Sequence, residues 1–192
     1  RDADAGYTTL SPRVALTPAP HALALPGLWT QQNATSPNLV GGYHGNVMGA
    51  GVTSGVISGG GYSGFENRVH DTRGTVGGGV GNVAGVDDGS ASNQQAATVS
   101  GGQGNTASGT FATVSGGQFN DATSVNDTVG GGQNNSASGS GSVVAGGRYN
   151  TASGSTSTVG GGWYNNAAAS YATIAGGGPS DTGNPTTTNN RV

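Results

Sequence analysis

The second half of the chain places one apolar residue every fifteen positions, with small or polar residues between. Thr precedes this residue in every copy except one, where Val143 takes its place. Asn follows six positions after the apolar residue, and Ala follows two positions after the Asn. Equal intervals with several columns in phase indicate a structural repeat. The apolar and Asn columns are Val99, Val114, Val129, Val144, Val159 and Ile174, and Asn105, Asn120, Asn135, Asn150 and Asn165.

Three less regular copies precede these six and begin near Leu39, Ile57 and Val76. The extra residues of the second and third copies fall within 62–66 and 86–95, which are polar or Gly-containing stretches. Insertions confined to one part of a repeat are typical of surface loops on a solenoid. The sequence therefore contains nine copies of one unit.

A fifteen-residue unit suits one coil of a parallel β-solenoid, in which short strands joined by tight turns stack at about 4.8 Å. Thr-Val-Ser alternates as a strand, Gly-Gly turns the chain, and Asn-x-Ala-Ser forms a second strand. The Val and Ala columns then face a narrow interior, and the Asn columns stack into a hydrogen-bonded ladder. We expect an all-β parallel β-solenoid (a β-roll) of about nine coils, roughly 43 Å long.

The pattern divides the chain into four segments. Residues 1–38 do not repeat, 39–98 form irregular coils with loop insertions, 99–178 form regular coils, and 179–192 form a polar tail. The first segment holds five of the seven Pro residues, which predicts an extended arm rather than a helix or a central strand. Its apolar side chains are candidates to cap the first coil or to dock on another subunit: Leu16, Leu23, Leu25, Leu28 and Trp29.

Composition narrows the classes of function. Of 192 residues, 40 are Gly, 32% are hydrophobic and 8% are charged, so a conventional globular core is excluded. Six Lys and Arg residues that do not cluster argue against nucleic-acid binding. No apolar run approaches the length of a membrane span, and the absence of Cys excludes a disulfide framework. The opening residues are not a signal peptide, so we expect any export signal to lie outside this sequence.

The sequence contains little that predicts catalysis or metal binding. The Gly-rich strings lack the Lys-Ser/Thr of a phosphate-binding loop, and they are better interpreted as turns. Asp87 and Asp88 precede Gly89 and are weak calcium candidates, although their spacing matches neither an EF-hand nor the Gly-Gly-x-Gly-x-Asp calcium repeat. The three His residues are far apart, and no carboxylate recurs as a column. We expect no cofactor and no enzymatic activity.

Two surface columns are candidates for contact with other molecules. Phe119, Tyr149 and Tyr164 stand just before the Asn column, and Arg148 and Trp163 stand one position earlier. These turn positions should face outward, where they would pack between coils or chains, or form a stripe that contacts sugars or surfaces.

The outward Thr column raises an alternative function, because stacked Thr residues on a flat β-solenoid face are typical of ice-binding solenoids. Those usually carry two Thr ranks. The second rank here is Ser, Gly or Ala, and such small residues suit close contact between subunits better.

The segment Gly102-Gln103-Gly104-Asn105-Thr106-Ala107-Ser108-Gly109 resembles the head repeats of YadA-like trimeric autotransporter adhesins. With Leu16-Thr17-Pro18-Ala19-Pro20 before the repeats, the chain also resembles secreted bacterial repeat shafts that often carry a self-cleaving endosialidase-type chaperone. The first resemblance covers about residues 39–178 and implies a left-handed β-roll. Together they imply an exported homotrimer with a fibrous or adhesive role.

The leading hypothesis is an extracellular or cell-surface bacterial protein that forms a homo-oligomeric, trimeric β-solenoid fibre, filament or appendage. Self-association could extend to end-to-end polymerisation, with a host surface or a glycan as ligand. The alternatives are an ice-binding solenoid that uses the Thr column and a glycan-binding shaft or tail-fibre-like module.

Overall fold

The computed structural model describes residues 26–178, and these residues form a parallel β-solenoid of about nine coils without a helix. The predicted fold class is therefore confirmed. The predictions for Leu16, Leu23 and Leu25 of the arm, and for the tail 179–192, lie outside the described residues.

Residues 26–178 contain eighteen short strands in two sheets. Consecutive strands alternate between the sheets, except at the start, where β1 and β2 belong to the same sheet. The ten-stranded sheet contains β1 (Leu28–Gln31), β2 (Asn38–Gly41), β4 (Val56–Ile57), β6 (Thr75–Val76), β8 (Thr98–Val99), β10 (Thr113–Val114), β12 (Thr128–Val129), β14 (Val143–Val144), β16 (Thr158–Val159) and β18 (Thr173–Ile174). The eight-stranded sheet contains β3 (Val47–Met48), β5 (Arg68–Val69), β7 (Val83–Ala84), β9 (Thr106–Ala107), β11 (Asp121–Ala122), β13 (Ser136–Ala137), β15 (Thr151–Ala152) and β17 (Asn166–Ala167).

Equivalent residues of successive coils pair directly with each other. Val99 pairs with Val114, and Ala107 pairs with Ala122, in parallel register. The second residue of nearly every two-residue strand points inward and is fully buried, whereas the first faces outward. Each regular coil from Val99 to Val159 thus contributes one Val from one sheet and one Ala from the other to a thin continuous core, and Ile174 of the ten-stranded sheet ends it.

The Gly pair after each Val column makes a turn that only Gly allows. At Gly117 the backbone has φ +89°, and a Cβ atom there would lie 2.2 Å from the carbonyl oxygen of Gly132 in the next coil. Immediately afterwards Gln103, Gln118 and Gln133 form isolated parallel bridges with one another. The bridges continue through Arg148 and Trp163, which were expected to be turn positions, so this column pairs between coils as a third, one-residue ladder.

Two further columns adopt the left-handed backbone conformation mostly with residues other than Gly. Phe119, Tyr149 and Tyr164 have φ between 54° and 57°, and Phe111 and Tyr171 have φ of 59° and 62°. A left-handed non-Gly residue costs about 1–2 kcal/mol, so the stacking of coils must hold these residues in place. The fifteen-residue spacing repeats this strain at the same two corners of successive coils.

The irregular coils keep the stacking and place their extra residues outside. Tyr62 and Phe65 exchange backbone hydrogen bonds and close a small turn over the 62–66 insertion. Buried Asp71 anchors the 86–95 insertion, because its carboxylate accepts the N–H of Val86 at 2.9 Å. Both insertions thus leave the column pairing intact.

The N-terminal end of the ten-stranded sheet is covered by β1, which pairs antiparallel with β2, whereas all the other strand pairs are parallel. Trp29 of β1 packs against the core, while Leu28 is 36% exposed. An antiparallel strand at this edge occupies the pairing groups that β2 would otherwise present. The described part of the predicted arm therefore caps the first coil.

Candidate functional site

The Asn column forms a buried ladder that connects the coils, and Asn120 shows its geometry. The backbone N–H of Asn120 donates to Oδ1 of Asn105 at 3.0 Å. The side-chain Nδ2 donates to the carbonyl oxygen of Gly116 in the same coil and of Gly132 in the next coil, both at 2.9 Å. One Asn residue thus joins three coils, and its side chain donates to two turn carbonyls.

The ladder also runs through the irregular coils. Asn67 donates its N–H to Oδ1 of Asn46, Asn82 to Asn67, and Asn105 to Asn82, at 2.9–3.0 Å. Asn46 and Asn67 were not recognised as ladder residues in the sequence. Each stands two positions before an inward apolar residue of the eight-stranded sheet, as Asn105 does, and that spacing could have identified them.

The outer face of the ten-stranded sheet carries no charged side chain in its two outward columns. The first column is half-buried except at its last residue and consists of Leu39, Val56, Thr75, Thr98, Thr113, Thr128, Val143, Thr158 and Thr173. The second is exposed and consists of Ser58, Gly77, Ser100, Ser115, Gly130, Ala145, Gly160 and Ala175. This uncharged face belongs to the longer of the two sheets.

The outer face of the eight-stranded sheet is more polar. Arg68 and Asp121 stand in its first column, and Arg68 forms an ion pair with Glu66 at 3.0 Å. Partial burial raises the pKa of the Asp121 carboxyl above its ordinary value, and a hydrogen bond from Thr106 opposes that shift. Hydroxyl side chains form two ranks on this face: Thr106, Ser136 and Thr151 in one, and Ser108, Thr123, Ser138 and Ser153 in the other.

The predicted aromatic stripe lies on the surface, and part of it packs on itself. Phe119 and Trp163 are 45% and 39% exposed. The Tyr149 and Tyr164 rings stack with centroids 4.8 Å apart and planes 9° apart, and the Arg148 guanidinium lies 5.2 Å from the Tyr149 centroid. Because the two Tyr rings cover each other's faces, the stack serves contact between coils, and less ring area remains for a sugar.

The weak calcium candidates are not brought together with further ligands. Asp88 accepts hydrogen bonds from the Asn93 side chain and the Ser90 N–H, and these lower the pKa of its exposed carboxyl. Asp87 lies 3.8 Å from Nδ1 of His70. Within residues 26–178 no group of three or more His, Cys, Asp or Glu side chains is arranged to hold a metal ion.

A buried carboxylate, which was not predicted from the sequence, links two successive coils at one corner of the solenoid. Asp127 is fully buried and accepts the N–H of Ser124 at 2.8 Å. Its other oxygen accepts the N–H and the hydroxyl of Ser142 in the next coil, at 2.8 and 3.0 Å. Asp127 stands at the fifteen-residue spacing of a column of small inward residues (Ala97, Ala112, Ser142, Ser157), and this position could have identified it as buried. Its bonds are structural and do not resemble a catalytic site.

No protein-family model matches the chain, and no curated protein shows significant similarity to it. The resemblance to YadA-like heads and secreted repeat shafts therefore stays a prediction. No helix in the part of the chain that the structure describes is long and apolar enough to cross a membrane.

We predict that Asn135→Asp destabilises the protein strongly at neutral pH. Nδ2 of Asn135 donates to the carbonyls of Gly131 and Gly147, and a carboxylate would instead face both oxygens without a proton. The loss should be about 3 kcal/mol or more in the free energy of unfolding, measured by urea denaturation. The matched control is Asn134→Asp at the neighbouring surface position, where Asp tolerates the left-handed backbone. Equal losses in the two variants would contradict a structural role for the ladder.

Proposed function

We propose that this chain is a non-enzymatic structural protein that assembles with copies of itself into an extracellular or cell-surface fibre or adhesive appendage of a bacterium. The observation that carries the proposal is the uncharged outer face of the ten-stranded sheet. The export, the trimeric state and the adhesive role rest on the family resemblance of the repeats.

The uncharged face supports lateral self-association because charged residues are depleted at the centres of protein interfaces. Its Thr column stands in direct register from Thr98 to Thr128, so the surface is regular along the rod. The exposed Ser, Gly and Ala residues beside it allow another backbone to approach closely. A second copy presenting the same face would find no unpaired charge to desolvate.

The thin core is a second reason to expect assembly. Each of the five regular coils from Val99 to Val159 fully buries one Val and one Ala of its two strands and a ladder Asn, and its interior holds no larger apolar side chain. A rod with so little apolar burial per coil gains stability if a neighbouring chain covers one of its faces.

We predict that the purified protein is an oligomer and that Thr113→Lys dissociates it toward the 18.4 kDa monomer. A Lys at this position would place an unpaired charge inside the proposed interface. The matched control is Thr151→Lys, an equally half-buried outward Thr on the eight-stranded sheet. Size-exclusion chromatography with light scattering gives the masses, and circular dichroism confirms that both variants fold. A monomeric wild-type protein, or equal dissociation by both variants, would contradict the proposal.

Ice binding is a second candidate. The Thr column of the ten-stranded sheet, on which it was predicted, has no regular second hydroxyl rank, so the observation that favours it is instead the pair of hydroxyl ranks on the eight-stranded sheet. The residues of each rank stand in parallel register, as Ser136 and Thr151 do. Asp121 interrupts the first rank, which weakens this candidate.

The same two variants distinguish lateral assembly from ice binding. If the eight-stranded sheet binds ice, the wild-type protein shows thermal hysteresis, which Thr151→Lys abolishes and Thr113→Lys leaves intact. A nanolitre osmometer measures it, and the absence of hysteresis in the wild-type protein would eliminate this candidate.

A further inference from the structure

Two exposed Phe side chains lie on adjacent coils at one corner of the solenoid, away from both ends of the described chain. Phe65 and Phe119 are 44% and 45% exposed. A Cβ atom at Gly81 would lie 3.5 Å from Cδ1 of Phe65, and one at Gly104 would lie 2.6 Å from Cδ1 and Cε1 of Phe119. These two Gly residues are equivalent positions of successive coils, because the residues before them pair in a parallel bridge. Each ring therefore lies where a side chain would project from a neighbouring Gly.

These two rings keep the free surface that the Tyr stack lacks. Tyr149 and Tyr164 cover each other's faces. Phe119 instead rests on a Gly backbone and makes no ring contact within residues 26–178. Tyr62 is 49% exposed and lies beside Phe65, with ring centroids 5.0 Å apart, so it extends the aromatic surface. We call Tyr62, Phe65 and Phe119 the aromatic ridge.

The backbone at Phe119 shows that an aromatic residue is not the choice that favours the fold at this corner. Its φ is +54°, a conformation that is unfavourable for most residues other than Gly and Asn. The same corner is occupied by Gly104 in the preceding coil and by Asn134 in the next, and both tolerate a positive φ. An exposed residue held in a strained conformation is a reason to look for a function.

A ladder of primary amides runs beside the aromatic ridge. Nε2 of Gln118 donates to Oε1 of Gln103, and Nε2 of Gln133 donates to Oε1 of Gln118, both at 3.0 Å. A primary amide has two N–H donors. One donor of Gln118, one of Gln133 and both of Gln103 therefore make no bond within the described residues. All three side chains are only half-buried, so the corner offers unused donors next to exposed ring surface.

Charge near the aromatic ridge is balanced. Glu66 directly follows Phe65, and its carboxylate pairs with the Arg68 guanidinium at 3.0 Å. The guanidinium of Arg148, two coils beyond Phe119, lies over the ring of Tyr149. The surface around Phe65 and Phe119 thus has little to attract a charged ligand and suits a neutral one.

We propose that the aromatic ridge and the amide ladder beside it bind a neutral, extended polysaccharide of β-1,4-linked sugars that lies along the rod. The C–H faces of such sugars are apolar and stack on the rings of Phe65 and Phe119. Oxygen atoms at the sugar edges accept the unused N–H groups of the Gln side chains. The coils repeat every ~4.8 Å, which is close to the length of one sugar in an extended chain, so successive sugars meet equivalent groups.

This ligand fits the corner better than a protein partner does. A corner of a narrow rod provides little surrounding area to exclude water from a protein contact at the rings. The proposal rests on the adhesive role in the proposed function, for which it names a class of ligand. It uses a surface other than the uncharged face.

The test is isothermal titration calorimetry of the full chain with cellohexaose and chitohexaose, the β-1,4-linked hexamers of glucose and of N-acetylglucosamine. We expect saturable binding of at least one of them. Maltohexaose should bind much more weakly, because its α-linkages curve the sugar chain. The two β-linked probes distinguish recognition of hydroxyl groups from recognition of acetamido groups.

Three variants test the role of Phe119. Phe119→Asn should weaken binding at least about fivefold, because one stacking ring is lost. Phe119→Tyr should retain binding, since Tyr149 and Tyr164 occupy the same corner in other coils. The matched control is Phe111→Asn, which removes a 56% exposed Phe with φ +59° at another corner and should leave binding unchanged. Circular dichroism confirms that the variants fold.

Four results would overturn the proposal. They are no binding of either β-linked hexasaccharide up to about 1 mM, equal binding of maltohexaose, equal weakening by the two Asn variants, and a change in oligomer mass in Phe119→Asn without saccharide binding by the wild-type protein. The last result would make this corner a contact between copies. Thr113→Lys should lose the oligomer and keep saccharide binding. Binding by a monomeric wild-type protein would support this site and contradict only the proposed self-association.

Discussion

The structure depends on one repeated interaction, the hydrogen bonding of a buried Asn side chain at the same corner of successive coils. At Asn120 the amide and the backbone N–H together make bonds to the coil before, the same coil and the coil after. The Gly carbonyls that the amide satisfies belong to a turn too tight to pair all its own polar groups. Without the Asn, the part-buried carbonyl of Gly116 would lose its hydrogen-bond partner, at a cost of about 1–3 kcal/mol, and the carbonyl of Gly132 would keep only the N–H of Gln118.

This constraint explains the unusual composition. Bringing the carbonyl of Gly132 close to Gly117 leaves no room for a Cβ atom, so Gly is needed at that position of the coil. The short strands enclose a narrow interior that is filled by Val, Ile, Ala and Asn, and no Leu or Phe is fully buried among residues 26–178. Stability therefore comes mainly from hydrogen bonds and close stacking repeated along the rod, as in other quasi-one-dimensional repeat proteins. That cooperativity also holds Phe119 and Tyr149 in a left-handed conformation that isolated residues avoid.

The sequence predicted the fold because each column has one physical role that is visible at fifteen-residue spacing. Thr113 faces outward and the next residue, Val114, faces the core, as the alternation predicts. The constant fifteen-residue interval between copies predicts that equivalent residues pair in register, as Val114 and Val129 do. Other features were not predictable in the same way. The antiparallel β1 is a single, non-repeated strand, and the bridges of the Gln column depend on the path of the turn rather than on side-chain type. Asp127 was missed because a lone carboxylate among small residues is usually interpreted as a surface residue.

The most direct test of this account is amide hydrogen exchange measured by NMR on the wild-type protein. The account predicts that the backbone N–H groups of Asn105, Asn120, Asn135 and Asn150 are among the slowest to exchange, because each opens only when neighbouring coils separate. Amides in the 86–95 insertion should exchange much faster. Exchange of the ladder amides as fast as that of the insertion would contradict the claim that the Asn ladder holds the coils together.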